Sequence, residues 1–208
     1  MELDSTDYDL DELIASSRTG NSADVASFFE RYRPRLLRMI EVRLNAQLRG
    51  RVDPSDIVQD AYAEASRVLD EFLEQRPMPV YLWLRRLAGQ KLIEAYRKHL
   101  VSEKRSVRKE ADVAGLPNAN SESLAFEFAG QNLTPSHAYS QKELREKLHH
   151  ALDQLSVDDR EILTLRHFEH LNGVETAHVL GITHDAVKKR YIRALGRLRK
   201  LIPEWKEQ

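Results

Sequence analysis

Seven cations crowd residues 188–200 (Lys188, Lys189, Arg190, Arg193, Arg197, Arg199 and Lys200). They are interleaved with Val187, Tyr191, Ala194 and Leu198, spaced at i, i+4, i+7 and i+11. On a helix that spacing gathers the apolar residues on one inward stripe and leaves the cations on the remaining surface. Arginine and lysine displayed this way hold phosphates by charge and reach guanine edges in a major groove, which is DNA-binding chemistry. A second basic stretch is of a different kind. Residues 76–98 interleave Arg76, Arg85, Arg86, Lys91, Arg97 and Lys98 with Tyr81, Trp83 and Tyr96. Charge along a backbone plus aromatic faces for unstacked bases suits a single strand. Trp83 sits on an apolar stripe and is expected to be buried, which leaves Tyr81, Arg86 and Gln90 as the favoured strand contacts.

Catalytic constellations are sparse. Glu146/His149 and Glu175/His178 have the ExxH spacing of di-iron bundles, but such a bundle needs two further inward Glu on long helices. The helix holding Glu175 ends at Gly181, too soon to serve. His167, His170, His178 and His184 show no regular spacing that closes a zinc site. There is no phosphate-cradling Gly loop, Walker lysine motif or GxSxG. With no cysteine in 208 residues, disulfides, thiolate metal sites and Cys nucleophiles are excluded. The chain is expected to be no enzyme and to need no metal or cofactor.

The basic faces must be carried by helices, because periodicity is helical almost throughout and no alternating run reads as a strand. Ile57, Val58, Ala61, Ala65 and Val68 share a face, with Asp53 or Ser55 as the cap and Pro54 in the first turn. Gln75-Arg76-Pro77-Met78-Pro79 breaks the pattern, which returns through Leu82, Trp83, Leu87, Leu92, Ile93 and Tyr96. Residues 101–137 are rich in Gly, Asn, Ser and Pro and read as a flexible linker. Helical pattern resumes at Thr134-Pro135-Ser136. Ser156 and Asp159 open a helix, Gly173–Leu180 makes a short one, Gly181 stops it, and Thr183 caps the last. Short helix, tight Gly-containing turn and basic helix form a helix-turn-helix layout. The fold class expected is all-α, with two small helical domains at 10–100 and 138–203 joined by the 101–137 linker.

The net charge of −1 hides strong segregation. Residues 1–30 carry eight acids and one Arg, residues 31–52 seven Arg and one Glu, and residues 53–84 seven acids and two Arg. Residues 85–110 are basic again, with nine bases and three acids. Such a chain presents local positive surfaces while staying neutral overall. No stretch approaches about 18 consecutive apolar residues, and the acidic Met1-Glu2-Leu3-Asp4 is unlike a secretory signal. A cytoplasmic location without a membrane partner is expected.

The C-terminal motifs carry a family resemblance. Leu155-Ser156-Val157-Asp158-Asp159-Arg160-Glu161-Ile162-Leu163 resembles the "LPxxxREVL" opening of region 4 in sigma-70-type transcription initiation factors. Leu171–Ala177 with Leu180–Thr183 is similar to "LSxxEIAxxLGIS", and Val187–Ala194 to "VKSRLxRA". Gly173, Thr176, His178 and Lys189 depart from the pattern, and Thr176, where Ile is usual, is expected to weaken packing of its helix. In the N-terminal half, Phe28–Leu37 resembles "FxxLYxRYxPRLL", Asp53–Tyr62 "DAEDLVQEVF", and the segments Pro79–Ala88 and Lys91–Arg97 "SFRAWLYRIARNLALDALR". The order and spacing, with no room for a middle domain, resemble the extracytoplasmic-function group.

The resemblance implies a sigma factor that binds core RNA polymerase and directs it to promoters through −10 and −35 elements. It places core binding, on the β′ clamp helices and the β subunit, at Asp53, Asp56, Ile57, Gln59 and Asp60. It places −10 capture at Arg76, Tyr81, Arg86, Gln90, Lys91, Arg97 and Lys98. Contact with the −35 element falls to Thr183, His184, Lys188, Lys189, Arg190, Ile192, Arg193 and Arg197. Of these, Lys188, Lys189, Ile192 and Arg193 match the family's base-reading face, and Arg190 and Arg197 are expected on phosphates. Promoter DNA is the second partner, and an anti-sigma protein a possible third. The alternative is a helix-turn-helix regulator that binds DNA without touching polymerase.

Overall fold

A computed structural model of the chain describes residues 4–18, 22–99, 116–131 and 138–202. Among them regular structure is helical, with no β-strand, and no helix is long and apolar enough to cross a membrane. The chain divides into two compact units, Met1–Ile40 with Ala46–Ser102, and Glu41–Asn45 with Glu103–Gln208. The expected helical start at Thr134-Pro135-Ser136 lies outside the described residues; helix is described from Ala138.

The first unit contains α1 (Asp4–Arg18), α2 (Ser22–Glu30), most of α3 (Arg33–Glu41), α4 (Ala46–Arg49), α5 (Pro54–Arg67), α6 (Leu69–Gln75) and α7 (Val80–His99). Asp53 caps α5, its side chain accepting from Ser55 N at 2.8 Å, and Pro54 occupies the first turn, where no amide is needed. The helix buries Ile57, Val58, Ala61 and Ala65 and packs against α7. Trp83 is buried as its position on the stripe suggests, stacked on Phe72 at 4.1 Å and meeting Phe29 edge-on at 6.2 Å. Aromatic contacts of this geometry add to simple area burial. From Val80 to Arg85 every residue of α7 is buried.

The second unit contains α8 (Ser121–Gln131), α9 (Ala138–Gln154), α10 (Val157–Leu163), a π-helical turn (Thr164–Phe168), α11 (Gly173–Leu180) and α12 (His184–Leu201). Helix α8 lies within the stretch expected as linker. Its N-terminus is held by Asn120, whose side chain accepts from Glu122 N at 2.9 Å, and Leu116, Ala119, Leu124 and Ala125 are buried. It packs on α9, while α10 and α11 pack on α12 through Ile162, Leu163, Leu180, Val187, Ala194 and Leu198.

Charges are buried in this unit as well. Arg43 is 1% exposed, and its guanidinium bonds both Glu161 and Glu169, themselves buried. Asp159, 4% exposed, receives Arg197. Removing one member of a buried ion cluster leaves its partners charged and dry, which costs about 3–5 kcal/mol. Arg43→Ala should therefore lower unfolding free energy by about that much, read by denaturant titration. Arg43→Lys, charged but unable to fork onto two carboxylates, should lose less.

His167 lies half-buried, with Nε2 2.8 Å from the Tyr191 hydroxyl. Burial, reinforced by Arg166 and His170, holds its pKa below the ordinary 6.5. The unfolded chain then binds this proton more readily than the folded one, so the contribution is present above pH 6.5 and is lost as pH falls below it. On going from about pH 7.5 to about pH 5.5, His167→Gln should lose less stability than the parent chain in matched thermal melts.

Candidate nucleic-acid interface

Both helices of the C-terminal pair are fixed at their ends by side chains. Asn172 accepts from Val174 N at 2.9 Å and Glu175 N at 2.8 Å, and Glu175 Oε2 accepts from Asn172 N at 2.8 Å. This reciprocal capping box was not read from the sequence, although Asn172 and Glu175 stand at the spacing that signals one. Gly181 terminates α11 in the left-handed region, φ 63°, where a β-carbon is strained. Thr183 then caps α12, its hydroxyl accepting from Ala186 N at 3.2 Å. The structure shows how Thr176 is accommodated. Its side chain is fully buried, but the hydroxyl donates to Asn172 O at 2.7 Å, so the polar group is satisfied.

Helix α12 turns Val187, Ala194 and Leu198 inward. On its outer side His184, Lys188, Lys189 and Arg193 are exposed, and Ile192 is 68% exposed. Thr183 is exposed but serves as the cap. Arg190 and Arg197 differ from the other cations. Arg190 lies 3.7 Å from Asp158 and Arg197 pairs with Asp159, so two acids near the start of α10 hold them at the rim. The sequence shows Asp158 and Asp159, but the pairing depends on how α10 meets α12. The helix-turn-helix thus presents a central exposed strip at Lys188, Lys189, Ile192 and Arg193, flanked by cations with internal partners.

In the first unit, Arg86, Gln90 and Arg97 are exposed along one face of α7 at i, i+4 and i+11. Lys98 is exposed nearby, and Lys91 is half-buried and 3.2 Å from Glu94. Arg76 is exposed at the C-cap of α6 with φ 43°. Tyr81 is corrected. It is 3% exposed, stacked on Tyr32 at 6.0 Å with the Arg35 guanidinium 3.6 Å above its ring, and offers no face to a base. Ile57 is corrected similarly: at 3% exposure it anchors α5 inward and offers almost no surface for docking. The outer side of α5 carries Asp53, Asp56, Gln59 and Asp60.

The two ExxH pairs are otherwise engaged. Glu146 approaches Lys142, His149 lies 3.4 Å from Asp153, and Glu175 closes the capping box. Among the described residues no three His, Asp or Glu side chains converge as metal ligands.

Residues 151–200 match the family model "Sigma-70, region 4", which covers α10 to α12. The chain is 29% identical over 143 residues to the RNA polymerase sigma-H factor of Pseudomonas aeruginosa, covering 68% of this chain and 69% of that one. It is 27% identical over 143 residues to the ECF RNA polymerase sigma-E factor of Escherichia coli, covering 68% and 70%. In fold it is similar to CnrH, solved in complex with the cytosolic domain of CnrY, with TM-score 0.53, 20% identity, and coverage of 93% of this chain and 97% of that one. With the region 4 match lying on the helix-turn-helix just described, and the relatives spanning both units, the chain carries a sigma-70 region 4 and is similar along most of its length to RNA polymerase sigma factors, those of the extracytoplasmic-function group among them.

Proposed function

We propose that this chain lends promoter contacts to core RNA polymerase through three surfaces and contributes no chemistry of its own. The observation that carries the reading is the exposed strip Lys188, Lys189, Ile192 and Arg193 on the second helix of a doubly capped helix-turn-helix. Its cations suit phosphates and guanine edges, and Ile192 suits a thymine methyl. This unit takes the −35 element, with Thr183 and His184 at the entering end of α12, and Arg190 and Arg197 on the flanking backbone.

The face of α7 carrying Arg86, Gln90 and Arg97, with Arg76, Lys91 and Lys98 beside it, takes the melted −10 strand. With Tyr81 turned inward, that surface works by charge and hydrogen bonding. The acidic side of α5 docks on the basic clamp helices of β′, and the β subunit completes the core contact. We include an anti-sigma protein among the partners; CnrH, whose fold this chain shares, was solved holding part of a second protein. The cytoplasm, where polymerase works, is the place of action.

Reconstitution tests this reading. Chain plus core enzyme should start transcripts at promoters that core alone ignores, whereas sequence-specific footprints obtained without core would favour a free-standing regulator. Reversing Asp56 and Asp60 to Lys should abolish co-purification with core polymerase while leaving the circular dichroism unchanged, because both side chains point outward. If binding survives, α5 is not the docking surface.

The two kinds of cation on α12 should separate in a promoter-variant panel. Arg193→Ala should cost about 1–3 kcal/mol on the preferred promoter and relax preference at one −35 position. Arg190→Ala should weaken all −35 sequences alike and lower the salt slope by less than about one unit, because Asp158 already neutralises part of its charge. Uniform loss in both variants would remove the division between reading and anchoring.

A further inference from the structure

We infer that Gly173 is a positioning residue for promoter recognition: its lack of a side chain lets the His184 imidazole lie across the first turn of α11, which aims His184 at one base of the −35 element. The inference rests on the reading of α12 as the −35 helix. Gly173 is one of the departures from the family pattern, and its backbone does not explain it. Gly181 has a positive φ that favours glycine, but Gly173 does not. Glycine at a helical position is, on propensity alone, a poorer choice than alanine.

Space accounts for it. A β-carbon added at Gly173 would lie 2.6 Å from His184 Cδ2, closer still to Nε2 and 3.5 Å from Cε1. The three nearest atoms all belong to that one ring. Ring and β-carbon would occupy the same place.

His184 is the first residue of α12 and is exposed, one helical turn before Lys188. With the Nε2–Cδ2 edge set against α11, Nδ1 is turned away from that contact and keeps its hydrogen-bonding capacity. The N-terminal residues of a recognition helix are the ones that reach base edges in a major groove. A histidine held by its far edge gives up little further rotamer freedom on binding, so its hydrogen bond adds discrimination at small entropic cost.

The test is a four-way cycle in reconstituted holoenzyme: parent, Gly173→Ala, His184→Ala and the double variant, each measured against promoters altered singly across the −35 element. His184→Ala should relax preference at one position and weaken the best promoter roughly fivefold or more. Gly173→Ala should act at that same position and in the same direction. In the His184→Ala background, adding Gly173→Ala should change binding less than about twofold. Thermal midpoints provide the folding control: a loss caused by Gly173→Ala through the ring is restored when His184 is removed.

The inference is overturned if Gly173→Ala is silent, if its effect persists undiminished without His184, or if either substitution weakens every promoter equally. Arg193→Ala, run alongside, separates the levels. If Arg193→Ala shifts preference and the His184 and Gly173 variants do not, this inference alone fails. If Arg193→Ala shifts nothing either, the assignment of α12 to the −35 element fails with it.

Discussion

The second unit is organised around charges taken out of water. Glu161 and Glu169 are buried with their carboxylates on one guanidinium, that of Arg43. A lone carboxylate at such depth would be too costly to keep ionised, so the positions of all three residues are tied together. The π-helical turn follows from this. In an uninterrupted α-helix, residues eight apart differ by about 80° around the axis. The wider turn at Thr164–Phe168 winds part of that back and lets the carboxylates of Glu161 and Glu169 approach the same fork. The first turn of α10 supplies Asp158 and Asp159 to the cations of α12, so the ionic framework and α12 share one supporting helix.

That support explains how a short helix pair holds its geometry. Helix α11 has only eight residues, too few to be stable alone. It relies on the Asn172–Glu175 box at one end, the left-handed Gly181 at the other, and the inward hydroxyl of Thr176. The box and the glycine close backbone groups that an unsupported helix end leaves open, and the Thr176 hydroxyl adds a second donor to the Asn172 carbonyl. The outer strip of α12 is left to make contacts outside the molecule.

Much of this was legible in the sequence, for a physical reason. Caps, glycine stops and 3.6-residue periodicity are local signals, and the helix-turn-helix is made almost wholly of them. Trp83 was legible because it shares a stripe with Leu87. What escaped depends on neighbours distant in the chain. Tyr81 looks available beside Arg85 and Arg86, and only the approach of Tyr32 and Arg35 shows its ring to be covered. Arg43 is one of seven arginines in residues 31–52, and nothing local marks it as the buried one. Helix α8 was hidden by Ser, Asn and Gly in its surroundings, which are loop-forming residues until Leu124 and Ala125 find a face to cover.

The pairing of Arg190 and Arg197 with Asp158 and Asp159 also bears on how the molecule searches a genome. Non-specific affinity for duplex DNA comes from cations that displace condensed counterions, whatever the sequence beneath them. A cation that already has a carboxylate beside it must exchange one anion for another, and gains little from bulk DNA. The strip at Lys188, Lys189 and Arg193 has to supply the difference, and it does so fully only where the bases fit. Residence on the vast excess of incorrect sites is thereby shortened relative to the correct one, and that ratio, more than absolute tightness, governs occupancy of a rare target.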